Sequence, residues 1–131
     1  MRPLCIFIVD DHTGFRALIR ELLESCAAVL QFGPPRIVEC ASAEEAMSAA
    51  ETMQPDLVTM DLHLPGVDGN ECIRRLRPLA SRAVIIVVTH LRDRFISERA
   101  LKQGADAVVF KDDLNAIPVL VRQHLTLGWP A

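Results

Sequence analysis

Tyrosine is absent from this sequence and aromatic residues make up only 5% of it, while 50% of its residues are hydrophobic. A core with so little aromatic bulk must be built from Val, Ile, Leu and Ala, a composition that suits an α/β domain. Cysteine occurs as Cys5, Cys26, Cys40 and Cys72 and never as C-x-x-C. Each stands alone in an apolar or helical stretch, the pattern of reduced core thiols, so a reducing cytoplasm is the expected setting. Positive charge is not in excess either. The 14 basic and 17 acidic residues give a net charge of -3 and are spread along the chain, which excludes a basic stripe and direct nucleic-acid binding by this segment. Long apolar runs are missing: Leu4 to Val9 ends at Asp10-Asp11, far short of a signal segment or a membrane span. There is no repeat or low-complexity tract, and the nearest thing to a linker is the turn signal Gly33-Pro34-Pro35. At 131 residues the chain has the size of one domain. Its core is expected over about 4–127, with 128–131 as a tail or the start of a linker.

What is present is an alternation. Five short apolar runs, Leu4–Val9, Ile37–Cys40, Leu57–Met60, Val84–Val88 and Ala107–Phe110, are separated by helical patterns. After the first run, Phe15, Leu18, Ile19, Leu22, Leu23, Cys26, Ala27 and Leu30 recur at the spacing of one helix face, with Thr13 as the expected N-cap. Ser42-Ala43-Glu44-Glu45 is a capping box that opens a second helix to about Met53, before Pro55. A third helix follows the loop Leu64–Gly69 and closes at Pro78. A fourth runs from about Asp93 to Gly104, whose lack of a Cβ suits a left-handed cap. Asp113 or Asn115 is expected to cap a fifth that reaches about Leu127. Strands that are apolar throughout, joined through helices, predict a doubly wound (βα)5 domain of flavodoxin-like type. Such a domain is a three-layer sandwich around a five-stranded parallel sheet with right-handed crossovers.

In such sheets ligands bind beyond the carboxyl ends of the strands. The residues at those ends are Asp10 and Asp11 after the first strand, Asp61 after the third, Thr89 after the fourth and Lys111 after the fifth. Three carboxylates brought together need a compensating cation, and hard oxygen donors with positions left for water suit Mg2+; one lysine is not enough. A carboxylate can accept a phosphoryl group as an acyl phosphate if a metal and a cation offset the charge on the phosphoryl oxygens. Asp61 is the central carboxylate, Lys111 the fixed cation, and Thr89 a hydroxyl able to bond a phosphoryl oxygen. Any one of these is an ordinary strand-end residue. Four of the five strand ends each deliver a part of one reaction, and together they form a phosphoryl-transfer site.

Val9-Asp10-Asp11-His12, Asp61-x-x-Leu64-Pro65-x-x-Asp68-Gly69, Val88-Thr89 and Phe110-Lys111 together resemble the CheY-like receiver domain of bacterial two-component response regulators, over about residues 4–127. The resemblance implies that Asp61 is the phosphoacceptor for a sensor histidine kinase or phosphotransfer protein. It also implies that Asp11, Asp61 and the main-chain carbonyl of His63 bind Mg2+, that Asp10 acts mostly through water, and that Thr89 and Lys111 contact the phosphoryl group. His12-x-x-Phe15-Arg16, Lys102-x-Gly104-Ala105-Asp106-Ala107 and Lys111-Asp112 are similar to the NarL/LuxR-type regulators. These usually carry a helix-turn-helix domain after the receiver, so control of transcription is expected through a separate or missing domain. The resemblance makes the chain a phosphoacceptor rather than an enzyme.

Departures from the family pattern bear on the switch. Where receivers usually have Tyr or Phe three residues before the lysine, this chain has Val108, and Phe110 shares its sheet face nearer the active edge. His90 follows Thr89, where small residues are common, and His63 also flanks the site; either ring could hinder or orient the hydrolytic water. The last helix holds Ala116, Ile117, Val119, Leu120 and Val121, more apolar than one buried stripe needs, which suits a homodimer or output face. Other classes fit less well. The Asp-x-His-x-x-Gly loop of corrinoid domains would need Gly where Phe15 stands, and a haloacid-dehalogenase-type phosphohydrolase would need Asp at His12. A stand-alone or degenerate receiver, acting by protein–protein contact without phosphorylation, is the alternative that Val108 and His90 keep open.

Overall fold

In a computed structural model, residues 3–29 and 33–125 are described. Strands β1 (Cys5–Val9), β2 (Arg36–Cys40), β3 (Leu57–Met60), β4 (Val84–Thr89) and β5 (Ala107–Phe110) alternate with helices α1 (Thr13–Val29), α2 (Ala43–Thr52), α3 (Gly69–Leu79), α4 (Arg94–Gln103) and α5 (Ala116–Leu125). All strands are parallel, in the order β2-β1-β3-β4-β5. The expected doubly wound sheet is therefore what forms, and its strand order reverses between β1 and β3. Leu30, Leu127 and 128–131, which the sequence reading assigned to a helix face, a helix end and a tail, lie outside the described residues.

The period of two along each strand splits the core. Phe7 and Val9, Val58 and Met60, Ile85 and Val87 pack with α2, α3 and α4; Ile6 and Ile8, Leu57, Ile86 and Val88 pack with α1 and α5. Both faces of the sheet are thus covered by aliphatic side chains, as the near absence of aromatics requires. Cys26, Cys40 and Cys72 are buried and unpaired. Burial pushes the Cys40 thiol up to about 11 and the Cys72 thiol up to about 12, each with help from neighbouring acidic groups, so neither offers a reactive thiolate at neutral pH.

Local chemistry sets the helix ends, with three departures from the sequence reading. Thr13 is the first helical residue rather than the cap of α1; the imidazole Nδ1 of His12 accepts the Phe15 N–H at 3.0 Å, a role a ring nitrogen can fill as a hydroxyl would. Leu18 is 54% exposed, because α1 buries only the narrower stripe of Ile19, Leu23, Cys26 and Ala27. The start of α5 is closed by main chain, Ala116 N–H to Asp113 and Ile117 N–H to Leu114, not by an Asp113 or Asn115 side chain. Ser42 caps α2 by accepting the Glu45 N–H, while the Glu45 carboxylate turns back to the Ala41 N–H. Asp68 caps α3 and Asp93 caps α4. Gly104 closes α4 at φ 123°, a conformation that favours glycine.

Gly69 has a different reason. It begins α3 pressed against the backbone that carries Asp61: its N–H donates to the Leu62 carbonyl at 2.9 Å, and a Cβ there would fall 2.6 Å from the Asp61 carbonyl oxygen and nearer still to Leu62 Cα. Both obstacles are main chain and cannot swing away. Gly69→Ala is accordingly expected to lose about 1–3 kcal/mol of stability, the range of overpacking, in urea denaturation. A midpoint equal to that of the wild type would show that the helix can stand off from the Asp61 loop.

Candidate functional site

Backbone bonds carry the sheet ladder one residue past the strands and so place the acidic groups. Asp10 N–H donates to the Cys40 carbonyl at 3.0 Å, and Asp61 N–H to the Val9 carbonyl at 2.9 Å. Since Val9 pairs with Met60, Asp10 and Asp61 emerge side by side, at the reversal of strand order where doubly wound sheets form their crevice. Lys111 N–H donates to the Thr89 carbonyl at 2.9 Å, which ties the end of β5 to the end of β4.

The side chains then converge. Lys111 Nζ lies 3.0 Å from Asp10 Oδ2 and 3.1 Å from Asp61 Oδ2, and its side chain is only 4% exposed. The remaining oxygens of the two carboxyl groups accept main-chain donors: Asp10 Oδ1 from His12 N–H at 2.8 Å, Asp61 Oδ1 from His63 N–H at 3.1 Å. Asp11 is exposed, yet a carboxylate oxygen from each of Asp10, Asp11 and Asp61 lies within 4.8 Å of the others. Burial alone would depress the Lys111 ammonium, but the hydrogen bonds and charges of Asp10 and Asp61 outweigh it and hold the group above its usual value. Its cationic form is therefore favoured in this site. Arg16 donates to the Asp10 carbonyl at 2.6 Å while pairing with Glu39, which fixes the β1 end from below.

Of the residues singled out in the sequence, Asp10, Asp11, Asp61 and Lys111 are brought together in one cluster. Thr89 is fully buried at the neighbouring strand end, but its hydroxyl accepts the Leu91 N–H at 3.2 Å. His63 and His90 are exposed on the rim. Val108 packs against the core on the α2–α4 side. Phe110 is half-buried and carries the Arg92 guanidinium 4.4 Å above its ring, with Arg92 also paired to Asp112. A feature the sequence reading missed lies on α1. Phe15, read there as one member of an apolar helix face, puts its ring 4.2 Å from Lys111 Nζ and in T-shaped contact with the rings of His12 and His90. No spacing rule pairs residues 15 and 111, so nothing in the sequence pointed to it.

Three clustered carboxyl groups with hard oxygen donors and one ammonium fit a small divalent cation that keeps some of its waters, as Mg2+ does. The exposed side of Asp11 leaves that cation a path from solvent. With a cation, a lysine and a carboxylate on one small area, the arrangement suits transfer of a phosphoryl group to an oxygen.

Residues 6–122 match the family described as response regulator receiver domain. The chain is 31% identical over 112 residues to the nitrate/nitrite response regulator protein NarL of Escherichia coli strain K12, covering 84% of this chain and 49% of that protein. It thus spans about half the length of that relative. Among solved structures, a two-component response regulator of the LuxR family from Aurantimonas sp. SI85-9A1 superposes with a TM-score of 0.79 at 30% identity, covering 93% of this chain and 84% of the other. A CheY-like response regulator receiver domain protein from Methanospirillum hungatei JF-1 superposes with a TM-score of 0.73 at 25% identity, covering 93% of each chain. Among the described residues, no helix is long and apolar enough to cross a membrane. Fold, strand-end residues and relatives agree: the chain belongs to the receiver domain family of two-component response regulators.

Proposed function

We propose that the domain accepts a phosphoryl group on Asp61 from the phosphohistidine of a sensor kinase or phosphotransfer protein, and changes its surface in response. The observation that carries this reading is the convergence of Asp10, Asp11 and Asp61 around one buried ammonium. Mg2+ would be held by Asp11 and Asp61 with the main-chain carbonyl of His63, with Asp10 mostly through water, and when bound it neutralises charge on the phosphoryl oxygens. An Asp61 carboxylate oxygen forms the new bond to phosphorus as the phosphorus–nitrogen bond to the donor imidazole breaks; the electron pair stays on that nitrogen, and the other ring nitrogen, protonated from solvent, lets the ring leave as neutral imidazole. Lys111, beside Asp61 Oδ2, and the Thr89 hydroxyl would both contact the phosphoryl oxygens, Thr89 by donating its own O–H, which accepting the Leu91 N–H leaves available. Asp61 is consumed once per transfer, so the domain acts as a stoichiometric acceptor and not as an enzyme with turnover. His63 and His90, exposed on the rim, stand where they can meet the water that hydrolyses the acyl phosphate.

Output follows from a population shift, because the phosphoryl group biases the surface only through contacts it makes better in one state. Phe95 on α4 is 80% exposed and Val119 on α5 is 56% exposed, and this α4–β5–α5 surface suits a homodimer or a partner domain. Control of transcription would then pass through a separate or missing DNA-binding domain, the receiver itself not touching nucleic acid. The second reading, a receiver that binds its partner without phosphorylation, is favoured by Val108 at the usual aromatic position and by the hold of Arg92 on Phe110. The cluster of carboxyl groups favours the first.

Incubation with acetyl phosphate and Mg2+, followed by intact-mass measurement, is expected to add one phosphoryl group to the wild type and none to Asp61→Asn. An unmodified wild type, or equal modification of both, would overturn the assignment. The exposed Asp11 side chain has no hydrogen bond or ion pair among the described residues, so Asp11→Asn should leave the fold intact. It is expected to weaken Mg2+ binding by roughly tenfold or more in calorimetric titration, as loss of a charged ligand does. Unchanged affinity would exclude the cluster as the metal site.

A further inference from the structure

Lys111 has to serve two sets of partners. In the structure its ammonium lies on Asp10 Oδ2 and Asp61 Oδ2, oxygens that belong to the same carboxyl groups a cation and an incoming phosphoryl group engage under the proposed function. When those groups change partners, an ammonium on a flexible four-carbon stem has no oxygen assured to it. One contact in the site is not made to oxygen: the face of the Phe15 ring, 4.2 Å from Nζ. Two of the three ammonium donors are used by the carboxylates, and the negative face of the ring lies against the same group.

The ring is itself held. Phe15 sits in the first turn of α1, its N–H donates to His12 Nδ1 at 3.0 Å, and its side chain packs against the core on the α1–α5 side. The centroids of the His12 and His90 rings lie 6.2 and 6.0 Å from that of Phe15 in T-shaped contacts, with interplanar angles of 74° and 78°. Edge contacts of this kind hold an aromatic plane in orientation. His12 also donates its N–H to Asp10 Oδ1 at 2.8 Å, so the ring that holds the lysine and the carboxylate that pairs with it lie on one short stretch of chain, from the end of β1 into the first turn of α1.

We propose that Phe15 is a positioning residue. Its ring face keeps the Lys111 ammonium beside Asp61 while the oxygen partners of that ammonium are exchanged, and so keeps the site ready for phosphotransfer. The proposal rests on the phosphoacceptor reading for its effect on rate, but not for the contact itself. A leucine fills much of the same space without the ring's charge distribution, whereas a tyrosine retains it.

Nuclear magnetic resonance of Lys111 in the whole chain, without any phosphodonor, tests the contact. The Lys111 Hε signals are expected to be shifted upfield by the ring current in the wild type and in Phe15→Tyr, to remain so when Mg2+ is added, and to return to ordinary positions in Phe15→Leu. The rate of phosphorylation by acetyl phosphate should fall about tenfold in Phe15→Leu and stay within about twofold in Phe15→Tyr. Absence of the upfield shift in the wild type, or its disappearance on adding Mg2+, overturns the proposal whatever the variants do. A Phe15→Leu protein that is folded and phosphorylated at the wild-type rate overturns the role of Phe15 alone. A wild type that takes no phosphoryl group overturns the phosphoacceptor reading and the rate effect together.

Discussion

The buried ammonium of Lys111 between Asp10 and Asp61 is the interaction on which the site depends. Charges taken from water are costly unless paired, and removing one partner of a buried pair typically costs about 3–5 kcal/mol. Here the pair joins the ends of β1, β3 and β5, elements far apart in sequence, so the carboxyl edge of the sheet is held by charge as well as by the strand ladder. The opposite demand comes from the clustered carboxyl groups, which repel one another. The site is therefore stable with its lysine in place and still attractive to a further cation, a balance that lets a ligand displace the resting contacts without unfolding the edge.

The surrounding structure is arranged to keep that balance local. Gly69 lets α3 approach the Asp61 backbone closely, His63 and His12 supply main-chain donors to the outer carboxylate oxygens, and Arg16 anchors the Asp10 carbonyl while its own charge is satisfied by Glu39. Each of these fixes a backbone or an oxygen lone pair without adding a second cation to the cluster. Lys111 and whatever binds from solvent are thus left to compensate the carboxyl groups.

Much of this was legible in the sequence because it follows from local periodicity. Four of the five strand ends were readable since those apolar runs stop at a polar residue, and Ser42 stands at the head of a capping box; the caps Asp68 and Asp93 came only with the structure. What was not legible depends on distance in sequence. Leu18 fits the helical spacing, yet α1 is covered by a narrower surface than its apolar residues could fill, and that surface is set by α5 and the sheet. Thr13 was the better cap by residue type, but His12, already fixed by its N–H on Asp10, brings its Nδ1 to the Phe15 N–H first. The contact of Phe15 with Lys111 needs the first helix and the last strand to be placed together, which no window on the chain contains.

The same long-range placement bears on how a change at Asp61 can reach the surface without an aromatic at Val108. The Thr89 hydroxyl is held by the Leu91 N–H, one residue before Arg92, and Arg92 is stacked on Phe110 and paired with Asp112 on either side of Lys111. The β4–α4 and β5–α5 loops are therefore joined to each other as well as to the site. Any ligand that draws Thr89 away from Leu91 acts on the backbone next to this clamp, and any ligand that moves Lys111 acts on the strand end between its two halves. A half-buried cation–π contact contributes on the order of 1 kcal/mol, small enough for a phosphoryl group to overcome through charged hydrogen bonds. It is still large enough to hold the two loops in one arrangement in the absence of such a group. With Phe95 exposed two residues beyond the Asp93 cap, a change in this clamp would alter the surface at the start of α4 with no ring moving into the core.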